Sequence, residues 1–405
     1  MCSPNERPVS REWIGEHSDR MPTSTLAHPN TGADAAPGRR FFQQLEHPGQ
    51  IVSNLTPNWF ASIMGTGIVA NAAASLPLQF PGLRTGATIV WAIAAVLLVA
   101  LTIATVLHWV RYRATASRHH LNPLISHFYG APPMAILTVG AGTLLLGKDW
   151  IGLPAAVGID WVLWTIGTIL GLGSAVLVPY LAFTRHENKP DAAFGGWLMP
   201  IVPPMVSAST GALLLPYAAA GQARETLLWA CYGMFGLSLL TSIVVITLIW
   251  NRLSQHKIGA AAMVPTLWIV LGPVGQSITA VNLLAGNAAI AVGASMAHGL
   301  LVVALVYGFA MLGFALLWTT IAGLITIRTA REHLPFSLTW WSFTFPVGTV
   351  VTGLNGLALH SGLVAVQVLA VTYYVGLVAA WLTVATRTFH GSVIRGTLLA
   401  PPKAA

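Results

Sequence analysis

Charged side chains are scarce in this sequence of 405 residues: Asp, Glu, Lys and Arg make up 8% of it, while hydrophobic residues make up 55%. A soluble globular protein carries roughly 25% charged residues. One aqueous core cannot bury so much apolar surface, so we expect a lipid bilayer to surround most of the chain. Cysteine is also scarce. Cys2 and Cys231 form neither a disulfide framework nor a pair with metal-ligand spacing, and no cofactor or metal site is predicted.

The polar residues are concentrated at the N-terminus. Residues 1–56 contain scattered Pro, Asp, Glu and Arg and no long apolar run, so we predict a largely disordered tail there. The rest divides into a membrane domain, 57–390, and a C-terminal tail, 391–405. A net charge of +8 does not predict nucleic-acid binding, because no basic cluster is interleaved with exposed aromatic residues.

Ten segments are long and apolar enough to cross a membrane as helices, which takes about 20 residues each. The loops between them are short, so the predicted fold is all-α, a single bundle of ten transmembrane helices. The spans, numbered one to ten, cover residues 58–76, 86–110, 128–147, 157–184, 195–217, 226–250, 260–286, 296–326, 339–359 and 362–386.

Lys and Arg are distributed unevenly between the two sides of this topology. If the N-terminus is cytoplasmic, seventeen of the 20 Lys and Arg residues lie on the cytoplasmic side, and Arg84, Lys148 and Arg224 lie on the other. Cytoplasmic loops carry an excess of these residues. Both termini are therefore predicted to be cytoplasmic. If one span had been missed, the later loops would change sides and the excess of Lys and Arg on one side would disappear. The observed excess therefore also supports the count of ten spans.

Proline falls mainly in alternate spans and divides them into two sets. Proline kinks a helix and leaves carbonyls unpaired, which lipid tolerates only where protein or water satisfies them. We therefore predict an inner ring of odd spans, which line a polar passage, within an outer ring of even spans. Alternatively, the prolines only bend helices for packing. The odd spans contain Pro132, Pro133, Pro200, Pro203, Pro204, Pro216, Pro265, Pro273 and Pro346, against Pro179 in the even spans.

The kink positions recur along the chain. Gly65, Pro133, Pro204, Pro273 and Pro346 are separated by 68, 71, 69 and 73 residues. One helical hairpin per interval gives five similar hairpins around a central pore.

The predicted passage has no fixed charge. Asp160, near the start of span four, is the acidic or basic residue closest to a span interior, so the buried carboxylate relay of a proton-coupled pump is not expected. Hydroxyls, amides and backbone N–H groups of broken helices suit an anion, although a neutral lining also suits an uncharged solute. The candidate donors are Thr66, Asn71, Ser207, Ser209, Thr210, Gln276, Ser277, Thr279, Thr344, Thr349, Thr352 and Asn355.

Two stretches carry a family resemblance: Pro57–Phe60 followed by Met64–Gly67, and Trp340–Pro346. Together with ten spans, they resemble the tellurite-resistance/dicarboxylate transporter family over about residues 55–390. That family includes bacterial tellurite-resistance proteins, yeast malate permeases, fungal sulfite efflux proteins and plant slow anion channels.

The resemblance implies five hairpins around a pore, a homotrimer with one pore per subunit, and a pore-blocking Phe in span nine. By motif position this gate is Phe345, although an ordinary packing role is the alternative. The further candidates for pore-lining or kink positions are Gly65, Thr66, Gly67, Pro133, Pro204, Ser207, Pro273, Pro346 and Thr349.

The predicted function is therefore transport of a small anion across the plasma or inner membrane. A four-carbon dicarboxylate such as malate ranks first, and sulfite or another inorganic anion is the alternative. A membrane-embedded enzyme would need clustered His, Asp or Glu at membrane depth, which the sequence does not contain, so the chain is predicted not to be an enzyme. A structural scaffold is a third hypothesis, which the proline pattern disfavours. The expected partners are the anion and the lipid bilayer.

Overall fold

The computed structural model of this chain describes residues 41–45 and 47–400, which lie in one compact unit, Arg40–Ala405. Every regular element among these residues is helical, which confirms the all-α prediction. Within the described part of the chain, eight helices are long and apolar enough to cross a membrane, so the chain is a membrane protein. Predicted spans one and five contain shorter helices, and the count of ten spans stays a prediction. Most of the predicted N-terminal tail and residues 401–405 lie outside the described residues.

The main helices are numbered α1 to α10 in chain order. Their bounds are α1 Phe60–Ala74, α2 Leu83–Arg111, α3 Ala131–Gly142, α4 Leu153–Thr184, α5 Pro203–Leu214, α6 Gln222–His256, α7 Leu271–Asn287, α8 Ala294–Glu332, α9 Phe345–Ser361 and α10 Val364–Phe389. Short α-helical pieces cover Gln50–Ser53, Arg113–Ala116 and Lys148–Ile151, and π-helical turns cover Thr143–Gly147 and His390–Ile394. Apart from the 3₁₀ segments that directly precede the odd-numbered helices, short 3₁₀ segments cover His119–Leu121, Leu215–Tyr217 and Ala288–Ile290.

Burial separates the odd helices from the even ones. The helices α3, α7 and α9, taken together with the short helical pieces that adjoin them, form three long segments. These are Ser126–Ile151, Ala261–Ile290 and Leu338–Ser361, and in the most apolar stretch of each, between 78 and 89% of the residues are buried. In the five even helices the corresponding share is between 11 and 22%. The short helices α1 and α5 are buried along almost their whole length. The even helices therefore present apolar side chains outward to lipid.

The odd helices close a ring. α1 packs on α3, α3 on α5, α5 on α7, α7 on α9, and α9 returns to α1. α7 approaches the backbone of α9 closely at Gly275, where an added Cβ would lie 2.4 Å from the backbone nitrogen of Val350. Glycine permits such contact because it has no side chain. The even helices pack on the outside of this ring, each against its preceding odd helix.

Each inner helix follows a 3₁₀ segment. These segments are Pro57–Trp59, Ser126–Gly130, Gly195–Leu198, Ala261–Val270 and Leu338–Phe343. The repeated prolines lie in the first turn of the α-helix that follows, rather than in its middle. Pro133 is the third residue of α3, and Pro346 is the second residue of α9. The first-turn N–H groups have no partner within the helix, so proline costs little there.

The N-terminal side of the described chain is tied to the C-terminal segment. The backbone N–H of Phe42 donates to the carbonyl of Val393 over 2.8 Å, and the Asn54 side chain donates to the carbonyl of Leu399 over 3.1 Å. Leu45, Leu55 and Leu399 are buried together in one apolar cluster. Packed structure therefore extends to residues before the predicted boundary at 57.

Candidate functional site

A cavity of about 550 Å³ lies inside the ring of odd helices. All five inner helices contribute to its wall, together with residues around the start of α10. Its polar lining contains Asn71, Ser75, Thr138, Ser209, Thr210, Gln276, Thr279, Thr352, Asn355 and Gln367. Seven of these ten are donors predicted from the sequence, while Ser75, Thr138 and Gln367 are additional. Thr138 could have been found from the sequence as a lining residue, because it follows Pro133 by little more than one helical turn.

Polar side chains of the lining join neighbouring inner helices. Gln276 on α7 donates to the hydroxyl of Ser209 on α5. Between α7 and α9, the hydroxyl oxygens of Thr279 and Thr352 are 2.7 Å apart. These side chains therefore hold neighbouring inner helices together as well as lining the cavity.

Two asparagines join α1 to its neighbours in the same way. The Asn71 amide donates to the carbonyl of Thr138 over 3.0 Å. The Asn355 amide donates to the carbonyl of Ala72 over 3.2 Å and to the hydroxyl of Ser75 over 2.9 Å. The direction of the bonds to the two carbonyls is fixed, because a carbonyl can only accept, and an amide N–H donates to the Ser75 hydroxyl.

The cavity wall is electrically neutral. Among the described residues that line it, none is Asp, Glu, Lys, Arg or His. Most of its hydroxyls donate to carbonyls in their own helix, as Thr138 does to Met134 and Thr210 does to Val206. The wall therefore presents dipoles that rotate at modest cost rather than fixed charges.

The cavity ends at Phe345, whose side chain is 2% exposed. Phe345 also lines a second, separate space of about 20 Å³, which we call the narrow space. Apolar side chains surround this narrow space, including Met64, Met134 and Trp341. The helices α1, α3, α7 and α9 reach it with their N-terminal residues. Near α5 it is lined by Met199 and Val202, which lie between the 3₁₀ segment and the start of that helix.

Ser207 and Thr349 lie behind the cavity wall. Both are 0% exposed, and neither lines the cavity. The Thr349 hydroxyl donates to the carbonyl of Pro346 over 2.7 Å, and the Ser207 carbonyl accepts from the indole of Trp164 over 2.9 Å. The residue three positions further along each helix, Thr210 and Thr352, reaches the cavity instead.

The candidates in α1 are packing positions in this structure. An added Cβ on Gly65 would lie 2.2 Å from the Thr344 hydroxyl oxygen, so Gly65 lets α1 approach the start of α9. An added Cβ on Gly67 would lie 2.8 Å from the Thr138 side chain. Thr66 accepts a hydrogen bond from the indole of Trp381 on α10, over 3.1 Å. Pro133, Pro204 and Pro273 lie in first turns, outside the cavity lining.

Asp160, the acidic residue that the sequence places near the start of span four, is buried in the structure. It is the eighth residue of α4 and is 1% exposed. Neither carboxylate oxygen has a hydrogen-bond partner, and an added Cβ on Gly140 would lie 2.5 Å from one of them. The glycine on α3 thus makes room for the carboxyl group. The sequence does not reveal this burial, because it depends on the rotation of α4 against α3.

Comparisons with known proteins match the chain along most of its length. A family model described as voltage-dependent anion channel matches residues 54–389. An uncharacterized transporter of Methanocaldococcus jannaschii is 28% identical over 303 residues, which cover 74% of this chain and 83% of that protein.

Relatives with named substrates are also similar. A sulfite efflux pump of Arthroderma otae is 24% identical over 375 residues, covering 87% of this chain and 96% of the pump. A malic acid transport protein of Schizosaccharomyces pombe is 24% identical over 320 residues, covering 73% of this chain and 69% of that protein.

Proposed function

Because the chain belongs to the voltage-dependent anion channel family, we propose that it transports a small anion through the passage inside the ring of odd helices. One observation carries this proposal: a neutral cavity of about 550 Å³, walled by all five inner helices, ends at a single phenylalanine. A resemblance in sequence and an enclosed passage thus support the same function.

Neutral walls suit passage of an anion. Conduction requires binding that is favourable enough to admit an ion and weak enough to release it. A fixed Lys or Arg would hold the anion, and a fixed carboxylate would repel it. N-terminal residues of α1, α3, α7 and α9 line the narrow space, and helix N-termini carry partial positive charge. Their dipoles lower the cost of bringing an anion into an otherwise apolar constriction.

Phe345 is proposed as the gate. Its ring contacts both the wide cavity and the narrow space, so it lies between the two. A hydrophobic constriction blocks ions by excluding water. Rotation of one side chain, assisted by small shifts of the first turn of α9, would join the two spaces.

Sulfite, or an inorganic anion of similar size, is our first candidate substrate, and a dicarboxylate such as malate is the second. The similar sulfite efflux pump is matched over nearly all of its length, and sulfite is smaller than malate, which favours it at the constriction. The wide cavity has room for malate, and similarity to malic acid transport proteins supports that candidate.

Topology and assembly complete the proposal. We propose ten spans in five hairpins, with both termini in the cytoplasm, in the plasma or inner membrane. Interruption of spans one and five is compatible with crossing, because broken helices occur in membranes where protein surrounds them. A homotrimer with one passage per subunit is proposed from the family resemblance.

Flux in proteoliposomes tests the proposal. The purified chain is reconstituted, and release of sulfite, malate, chloride and nitrate is measured under equal gradients, with glycerol as an uncharged solute. We expect anion release above that of protein-free liposomes, with sulfite fastest and glycerol unchanged. Malate faster than sulfite would reverse the order of candidates. Equal permeability to glycerol, or no anion release, would contradict an anion pathway.

A further inference from the structure

A second cavity, of about 670 Å³, opens on the outside of the bundle between the C-terminal ends of α6 and α8. We call it the α6–α8 groove. Its apolar wall includes Trp250, Trp318, Ile321 and Ile325. It shares no lining residue with the cavity inside the ring. The groove is therefore a separate feature on the face that we assign to lipid.

The groove is apolar along its length and basic at its mouth. Lys257 and Arg328 line the end where both helices leave the membrane. Glu332 lines it too, 3.8 Å from Arg328, but both side chains are 73% exposed, so this pair is weak. The surplus of positive charge fits an anionic group placed at membrane-surface depth.

The apolar wall has the length of a lipid chain. Trp318 precedes Glu332 by fourteen positions, which corresponds to about 21 Å along a helix. Half of a bilayer's hydrocarbon core is about 15 Å thick. The Trp318 indole donates to the carbonyl of Leu267 over 2.8 Å, so its polar atom is satisfied within the protein. The ring centroids of Trp250 and Trp318 are 6.0 Å apart, and the Trp250 side chain is partly exposed.

Lys257 occupies an unusual backbone conformation. It follows the last residue of α6 with φ 64° and ψ −161°, a region that is populated almost only by glycine. Glycine itself occurs two positions later, at Gly259. A long basic side chain is thus held at a position where glycine would avoid strain, and strain of this kind accompanies ligand sites.

We propose that the α6–α8 groove binds an anionic phospholipid, with its phosphate at Lys257 and Arg328 and an acyl chain along Trp250 and Ile321. A basic rim above an apolar wall complements both parts of such a lipid. A zwitterionic lipid such as phosphatidylcholine also has a phosphate, but its choline cation opposes the attraction to the basic rim, so it gains less. This site does not depend on which anion the inner passage carries.

Lipid binding by the full-length chain tests the proposal. Native mass spectrometry compares retention of phosphatidylglycerol and phosphatidylcholine with identical acyl chains. For Lys257→Gly we expect about fivefold weaker binding of phosphatidylglycerol, the contribution of one basic residue near an anionic surface, and a smaller loss for phosphatidylcholine. Arg328→Gln should act similarly. Lys189→Gly, in an exposed loop outside the groove, is the matched control.

Thermal stability separates a lipid site from a structural role. Because glycine suits the backbone at position 257, Lys257→Gly should unfold at the same or a higher temperature than the unmodified chain while losing lipid preference. Unchanged phosphatidylglycerol binding in both groove variants would overturn the proposal. So would a change in oligomeric state without a change in lipid preference, since a second copy of the chain would then occupy the groove.

Discussion

The inner and outer helices follow different structural rules within one apolar chain. The outer helices are 26 to 39 residues long and bury little of their surface. The inner helices are 12 to 17 residues long, begin after a 3₁₀ segment and are buried nearly all round. Lipid cannot satisfy the backbone groups that such interruptions expose. The outer ring therefore permits the inner ring to carry prolines, glycines and polar side chains.

The largest expected effect is that of removing the Phe345 ring from the inner ring. In Phe345→Ala, the wide cavity and the narrow space should join, and anion flux in proteoliposomes should rise about tenfold, equivalent to a barrier lower by about 1.4 kcal/mol. The matched outer-ring control is Phe183→Ala, because Phe183 is 85% exposed and should not affect flux.

A buried Phe→Ala change also costs about 3–5 kcal/mol of stability. Phe345→Leu keeps more of the side-chain volume, so it should fold normally and give an intermediate flux. If both variants fold and conduct like the original chain, Phe345 is a packing residue and the gate assignment is wrong.

Thiol accessibility should distinguish positions within one inner helix. We expect Thr352→Cys and Thr210→Cys to react with a small water-soluble thiol reagent at least about tenfold faster than Thr349→Cys and Ser207→Cys, because a thiol buried in an apolar environment is rarely ionised. The rates are measured by mass spectrometry of the purified chain. Thr372→Cys, which is exposed on the outer helix α10, is the lipid-facing control.

The opposite ranking would require a different rotation of α5 and α9 about their axes. Faster reaction at position 372 than at positions 352 and 210 would contradict the division into inner and outer rings. Equal reactivity at all four inner positions would mean that both faces of each inner helix reach water.

The sequence was sufficient to separate the two rings, because proline in a lipid-facing helix is costly and its absence from most even spans is visible without a structure. It did not reveal the 3₁₀ segments, since proline is equally compatible with a kink and with a first turn. Residue type alone does not separate the buried hydroxyls of Ser207 and Thr349 from those of Thr210 and Thr352, which line the cavity. Successive residues on a helix point about 100° apart, and the packing of adjacent helices decides which of them lines the cavity.

Arrangements that depend on how helices are rotated against one another were hardest to predict. Asp160 lies against Gly140 because two helices, separated by a connecting segment, meet there with a particular rotation. The narrow space around Met64 and Met134 likewise arises where the first turns of several inner helices converge. Neither arrangement has a local sequence signal. Phe345, by contrast, was identified through its motif, and its position at the junction of both spaces agrees with the proposed role.

The smallest expected effect concerns the contact between the two rings. Trp381 on the outer helix α10 donates to Thr66 on α1 over 3.1 Å, while Thr66 itself donates to the carbonyl of Ser62 over 2.7 Å. Trp381→Phe removes the inter-helix bond but leaves Thr66 partnered, so we expect destabilisation of about 1 kcal/mol and unchanged anion flux. Thermal unfolding in detergent measures it, with Trp229→Phe as a partly exposed outer-ring control. A large loss of flux would mean that the outer ring helps to set the passage rather than only shielding it.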